Sequence, residues 1–178
     1  MAKTEIICAG FGGQGVLVTG LIIAHAAMNN DQNILWYPSY GVEMRGGTAN
    51  CNVKISDEEI ASPFVKEADI VIALNDASVM KFEERVKPGG YLFVNSSTVK
   101  PREYRKDIHV IMVPATDIAN SEGNPRGANI TVLGALAKTT GLFDVDYLRG
   151  AIDSFFEKKG KINPKNAVCF DKGAALFA

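Results

Sequence analysis

Histidine and cysteine are scarce: the 178-residue chain has two of the first and three of the second. Cys8, Cys51 and Cys169 are far apart and odd in number. They form no C-x-x-C and no ligand spacing for zinc or an iron–sulfur cluster, and they read as free thiols. His25 and His109 alone leave a His-based metal site or a Ser-His-Asp triad little to draw on. Basic charge is not in excess either, with 19 Lys and Arg against 20 Asp and Glu. Nothing is therefore available to neutralise a run of phosphates, which argues against nucleic-acid binding. No apolar run approaches the roughly 20 residues that span a bilayer. The opening MAKTEIICAG lacks the charged segment, apolar stretch and cleavage site of a secretory signal. These absences predict a cytoplasmic chain with no metal and no membrane span.

What is present is an ordinary globular composition, 47% apolar and 22% charged, in alternating strand-like and helix-like runs. Strands are predicted at 4–9, 33–37, 49–55, 69–74, 91–95 and 109–115. Helices are predicted at 14–28 and 76–86, the latter burying Val79, Phe82 and Val86 with Lys81, Glu83, Glu84 and Arg85 in water. Pro88-Gly89-Gly90 is expected to end it. Two further helices fall at 129–140 and 144–158, the latter with Val145, Leu148, Ile152 and Phe155 on one face. A short last helix is expected to begin at Pro164. Such alternation predicts one α/β domain over residues 1–178, a three-layer fold whose mainly parallel sheet is covered on both faces.

Two glycine-rich stretches carry the functional signal. The first, CAGFGGQG, places Gly10, Gly12 and Gly15 at G-x-G-x-x-G spacing, with Gly13 and Gln14 between them. Such a turn suits a phosphate held at a helix N-terminus. A dinucleotide fold also wants an acid at the end of the second strand for the ribose. Here that strand ends Trp36-Tyr37-Pro38-Ser39. A dinucleotide, another anionic ligand and a purely structural turn all stay open. The second stretch, YPSYGVEMRGGTAN at 37–50, sets Glu43 and Arg45 among aromatics, before Gly46 and Gly47. It reads as a solvated loop or as a loop meeting a ligand or partner, where Tyr and Arg are favoured. A third stretch, ANITVLGALAKTTG, is a helix with one charge, Lys138, that Asn129 can cap and Gly141 can end. It is buried in this core or against another subunit. Paired carboxylates, an activated Cys or Ser and a G-D-G…N motif are absent, so no catalytic residue is assigned.

GFGGQGV at 10–16, PSYGVEMRGGTANC at 38–51, IALN at 72–75 and NITVLGALAKTTG at 129–141 together resemble the gamma subunits of 2-oxoacid:ferredoxin (or other acceptor) oxidoreductases. The resemblance runs in order over nearly the whole chain. It implies a Rossmann-like domain, inactive alone, packed against alpha and beta subunits that bind thiamine diphosphate and Mg. A ferredoxin-like delta subunit is a further partner, and an isolated chain can self-associate through the same surfaces. The complex decarboxylates a 2-oxoacid, passes electrons to iron–sulfur clusters and releases an acyl-CoA. F-G-G-Q-G and E-M-R-G-G-T are more like the 2-oxoglutarate branch, with pyruvate, branched-chain and indolepyruvate enzymes as alternatives. Carried onto this chain, Gly10, Gly12, Gly13, Gln14 and Gly15 are the turn facing coenzyme A or a partner loop. Tyr40, Glu43, Arg45, Gly46 and Asn50 form the loop nearest the alpha/beta active site. The rival readings are a stand-alone nucleotide-dependent oxidoreductase and a ligand-sensing or scaffolding module.

Overall fold

A computed structural model describes residues 3–40 and 48–178. Six strands form one sheet: β1 (Lys3–Phe11), β2 (Asn33–Tyr40), β3 (Thr48–Ser56), β4 (Ala68–Ala73), β5 (Val86–Asn95) and β6 (His109–Val113). Their order is β2-β3-β1-β4-β5-β6. β1, β4, β5 and β6 pair parallel in turn, while β3 runs antiparallel to both β1 and β2. One reversed strand among six leaves the sheet mainly parallel, as the apolar runs predict.

Alternate residues of each strand face opposite sides. Ile6, Cys8, Val53, Ile72 and Phe93 look one way, onto α1 (Val16–Met28), α4 (Ala128–Thr140), α5 (Val145–Lys158) and α6 (Pro164–Ala175). Ile7, Ala9, Val71, Leu92 and Val94 look the other way, onto α2 (Asp76–Phe82) and the apolar residues Val65, Val99 and Ile108. Both faces are covered, but unequally.

The uncharged helix α4 belongs to this core. Gly134 of α4 lies so close to the Phe170 carbonyl of α6, and Gly173 of α6 to the Thr131 carbonyl, that a Cβ on either would overlap the facing backbone. Glycine at these two points lets the helices meet backbone to backbone. On α5, Leu148, Ile152 and Phe155 are buried as their spacing predicts. α6 opens at Pro164 with Asn163 as its cap, and it is twelve residues rather than a short piece.

Other expectations are corrected. The helix after β4 stops at Phe82, a single 3-10 turn follows at Glu83–Arg85, and Val86 already belongs to β5. Pro88-Gly89-Gly90 is therefore part of a strand and not a helix stop. The β4–β5 register shifts between Ala68 and Ile70, and the Gly89 N–H donates to Asp107 O at 2.7 Å, so this segment is accommodated at an irregularity. Glu83, expected in water, is buried: its carboxylate accepts from Arg102 Nη2 at 3.0 Å and from the Arg105 N–H at 2.8 Å. The strand read as 109–115 ends at Val113, and a helix that the sequence pattern had not suggested, α3 (Ala115–Ser121), follows Pro114. Among the described residues no helix is long and apolar enough to cross a membrane.

Candidate functional site

β1 runs through Gly10 to Phe11 before the chain turns into α1. The turn is held by a side chain, not by its glycines alone. Gln14 Oε1 accepts from the Phe11 N–H at 2.7 Å, while Gln14 Nε2 donates to Leu74 O at 3.0 Å, just past the end of β4. Gln14 was expected inside the helix; it instead bridges the carboxyl ends of two neighbouring strands.

The glycines divide into two kinds. A Cβ on Gly10 would lie 2.7 Å from Gln14 Oε1 and 2.8 Å from Val16 Cγ2, so this position serves packing. Gly15 has φ +74°, and a Cβ there would fall 2.6 Å from Asn129 Nδ2. Its carbonyl accepts from the Thr19 N–H and hydroxyl at 2.9 and 2.7 Å, and from Asn129 Nδ2 at 3.3 Å. Gly12 and Gly13 are exposed, and Gly13, at φ +94°, has nothing within 4 Å of where its side chain would be. The open part of the turn is therefore its middle. Beyond it α1 begins without a side-chain cap and without an acid in its first turn, a combination that favours an anion.

Asn129 does not cap α4, whose cap is Gly127. It reaches across to the glycine turn instead, and sequence pattern gave no sign of that pairing. Asn75 at the end of β4 caps α2, its Oδ1 accepting from the Ser78 N–H at 2.8 Å. Asn95 at the end of β5 accepts from the Ala115 N–H at 3.2 Å and donates to Thr116 Oγ1 at 2.9 Å. Among the described residues these contacts at the carboxyl edge of the sheet are made by neutral amides and hydroxyls.

The described ends of the second stretch, 37–40 and 48–50, come to the same edge. Because β3 is reversed, its first residues lie beside the last residues of β1: Phe11 pairs with Thr48, Gly10 with Ala49 and Ala9 with Asn50. On the far side Tyr40 pairs with Ala49 and Ser39 with Asn50. Asn50, half-buried, is thereby fixed next to the glycine turn. Tyr40 is placed by its backbone at the end of β2, and Glu43, Arg45 and Gly46 lie outside the described residues. The end of β2 brings no acid to this edge.

A shallow cavity of about 280 Å³ opens at the opposite edge, lined by Asp69, Lys87, Tyr91, Thr140 and Leu142. Its one ammonium is already engaged, with Lys87 Nζ 3.0 Å from Asp69 and 3.6 Å from Glu5. Among the described residues no three His, Cys, Asp or Glu side chains gather as metal ligands.

The family model for pyruvate ferredoxin/flavodoxin oxidoreductase matches residues 5–176. The chain belongs to this family. The ketoisovalerate oxidoreductase subunit VorA of Methanothermobacter marburgensis is 40% identical over 174 residues, which is 97% of this chain and 36% of that protein. The chain thus spans about a third of the length of this curated relative. Among solved structures, the gamma subunit of keto/oxoacid ferredoxin oxidoreductase from Geobacter sulfurreducens PCA matches 97% of this chain and 96% of its own, at 28% identity and TM-score 0.77. The 2-oxoglutarate:ferredoxin oxidoreductase of Magnetococcus marinus, solved with 2-oxoglutarate, coenzyme A and succinyl-CoA bound, matches 99% of this chain at 26% identity and TM-score 0.85. This chain corresponds to 31% of that polypeptide. The resemblance to gamma subunits read from the motifs is borne out.

Proposed function

We propose that the chain is the gamma subunit of a cytoplasmic 2-oxoacid:ferredoxin oxidoreductase that converts 2-oxoglutarate to succinyl-CoA. The observation that carries this reading is that the glycine turn and the described ends of the second stretch meet at one sheet edge, with Gly10 beside Ala49 and the backbone at Gly13 open. Alpha and beta subunits hold thiamine diphosphate, Mg and the clusters, and thiamine diphosphate supplies the decarboxylation chemistry there. A ferredoxin-like delta subunit is a further partner.

This chain contributes positioning. The uncapped start of α1 and the amides of the turn suit a phosphate of coenzyme A. Residues 40–50, through Tyr40, Glu43, Arg45, Gly46 and Asn50, meet the catalytic subunits. The bound ligands of the Magnetococcus relative favour 2-oxoglutarate and coenzyme A. The ketoisovalerate relative favours a second reading, in which the substrate is a branched-chain 2-oxoacid.

The test is an anaerobic pull-down of the tagged chain from its host, followed by coenzyme A-dependent dye reduction with a panel of 2-oxoacids. Recovery of thiamine-binding subunits with 2-oxoglutarate preferred supports the proposal. A chain that emerges alone and binds a dinucleotide tightly sinks it. Arg45→Ala is expected to weaken assembly or coenzyme A-dependent turnover; unchanged behaviour removes the loop from the interface.

A further inference from the structure

Two of the three cysteines, treated above as isolated thiols, face each other. Cys8 on β1 and Cys51 on β3 are direct partners in the antiparallel ladder, so their side chains project to the same face. Both are buried and free, on the side of the sheet covered by α1. Directly paired residues of antiparallel strands have Cα atoms about 4.5 or 5.5 Å apart, depending on the type of pair. Both values lie inside the roughly 4.4–6.8 Å range of disulfides. Their Cα spacing is therefore compatible with a disulfide.

Their surroundings tie them to the glycine turn. Cys51 Sγ lies 3.7 Å from Val16 O, the first residue of α1, to which its thiol donates. Cys8 is two residues before Gly10, and Cys51 follows Asn50. A Cβ on Gly20 would sit 2.5 Å from Cys51 Sγ and 2.9 Å from Trp36 Nε1, which places the indole beside that sulfur. The Trp36 N–H is buried without a well-formed hydrogen bond of its own. The two sulfurs are unequal. A hydrogen bond from Cys8 draws the Cys51 thiol down, helped by the Trp36 N–H, while the same contact and burial push Cys8 well up. The Trp36 indole N–H beside Cys51 Sγ singles out Cys51 as the attacking sulfur in the step that follows.

We propose that Cys8 and Cys51 are a reversible oxidation site, converted by hydrogen peroxide to a cross-strand disulfide beneath the glycine turn. The Cys51 thiolate attacks peroxide, forming an S–O bond as the O–O bond breaks and hydroxide leaves. The Cys8 sulfur then attacks Cys51, forming the S–S bond as the S–O bond breaks and water leaves. Two thiols lose two electrons and two protons, and the peroxide becomes two waters. Oxidation removes the thiol that donates to Val16 O and pins β1 to β3. The redox state is thereby read at the start of α1. Reaction waits on opening of the first turn of α1, which covers Cys51, so it is slower than that of an exposed thiol.

The test treats the reduced, folded chain with hydrogen peroxide under anaerobic conditions, quenches it and counts thiols in denaturant. The expected result is a fall from three thiols to one, a loss of two hydrogens in intact mass and a peptide joining positions 8 and 51. Dithiothreitol reverses all three. Trp36, the single tryptophan, changes emission on the same time course. Cys169→Ala leaves these results intact, whereas Cys8→Ser and Cys51→Ser abolish the two-hydrogen loss. The wild-type peptide map stands even if a variant fails to fold. Three thiols surviving in folded protein overturn the proposal, as does oxygen addition without a link, or a link through Cys169.

Discussion

Gln14 joins the end of β1 to the end of β4, accepting from the Phe11 N–H and donating to Leu74 O. The Leu74 carbonyl keeps a second donor, Thr98 Oγ1 at 2.8 Å, but the Phe11 N–H has no such reserve in the turn. Gln14→Ala is expected to lower stability by about 1 kcal/mol. A urea titration checks this, with the midpoint falling and the slope unchanged. In the assembled complex, coenzyme A-dependent turnover should fall further than stability alone accounts for.

Two helical glycines should respond in opposite directions. Gly134→Ala forces a Cβ into the Phe170 carbonyl, and neither backbone can give way without separating α4 from α6. The expected cost is about 3 kcal/mol or more. Gly150 of α5 is exposed with nothing within 4 Å, so Gly150→Ala should stabilise by about 0.5–1 kcal/mol. Thermal midpoints of the two variants, measured side by side, decide it.

Glu5, near the start of β1, lies opposite Lys54 near the end of the reversed strand β3. Its carboxylate is 3.0 Å from Lys54 Nζ and 3.2 Å from Lys3 Nζ, and the Lys54 side chain is only 5% exposed. Burial pushes the Glu5 carboxyl up, but hydrogen bonds from Lys54 and Lys3 outweigh it and hold it below its ordinary value. Its contribution is therefore present at neutral pH and lost as the pH falls through the lowered folded value. Glu5→Gln leaves the Lys54 ammonium buried without its charge partner and should cost on the order of 2 kcal/mol at pH 7. Denaturation at pH 7 against low pH should show the gap between variant and parent narrowing.

His25 also costs stability as the pH falls, but through burial of its charged form and not through the loss of an ion pair. Burial lowers its affinity for a proton, and Lys158 nearby adds to that. The ring meets Phe155 at 5.8 Å, and Nε2 lies 3.1 Å from Asn29 Nδ2. The unfolded chain thus binds the proton more tightly, so stability falls as the pH drops below the ordinary value of 6.5. The fall stops once the folded ring itself titrates. Thermal midpoints taken from about pH 8 to about pH 5 should show this fall in the parent. His25→Gln should lack it.

The order of strands and helices was readable because continuous apolar runs and helical spacing are strong local signals, as at Ile70–Ala73 and along α5. Pro88-Gly89-Gly90 misled because these residues mark any break in regular structure, and only the pairing of Ala68 with Val86 shows the break to lie within a strand. α3 was hidden by its brevity and by the apolar run leading into Pro114. The site was half visible. Spacing picked out Gly10 and Gly15, but their reasons are Val16, Gln14 and Asn129, the last 114 residues away from Gly15. Such a pairing leaves no periodic trace. The cross-strand relation of Cys8 to Cys51 was equally silent, since register appears only when strands are paired.

β1 precedes both of its ladder partners in the chain, yet it lies in the interior of the sheet with both edges needing them. Those partners, Thr48–Ser56 and Ala68–Ala73, are translated later, and α4 is closed off only by Pro164–Ala175. A nascent chain therefore carries an apolar strand with two open edges until Thr48–Ser56 has been made, and with one until Ala68–Ala73 follows. Chaperone demand should concentrate on residues 3–11, and slowing translation before β4 should raise aggregation. The interior position that steadies the glycine turn in the finished protein leaves β1 waiting on two later partners while the protein is being made.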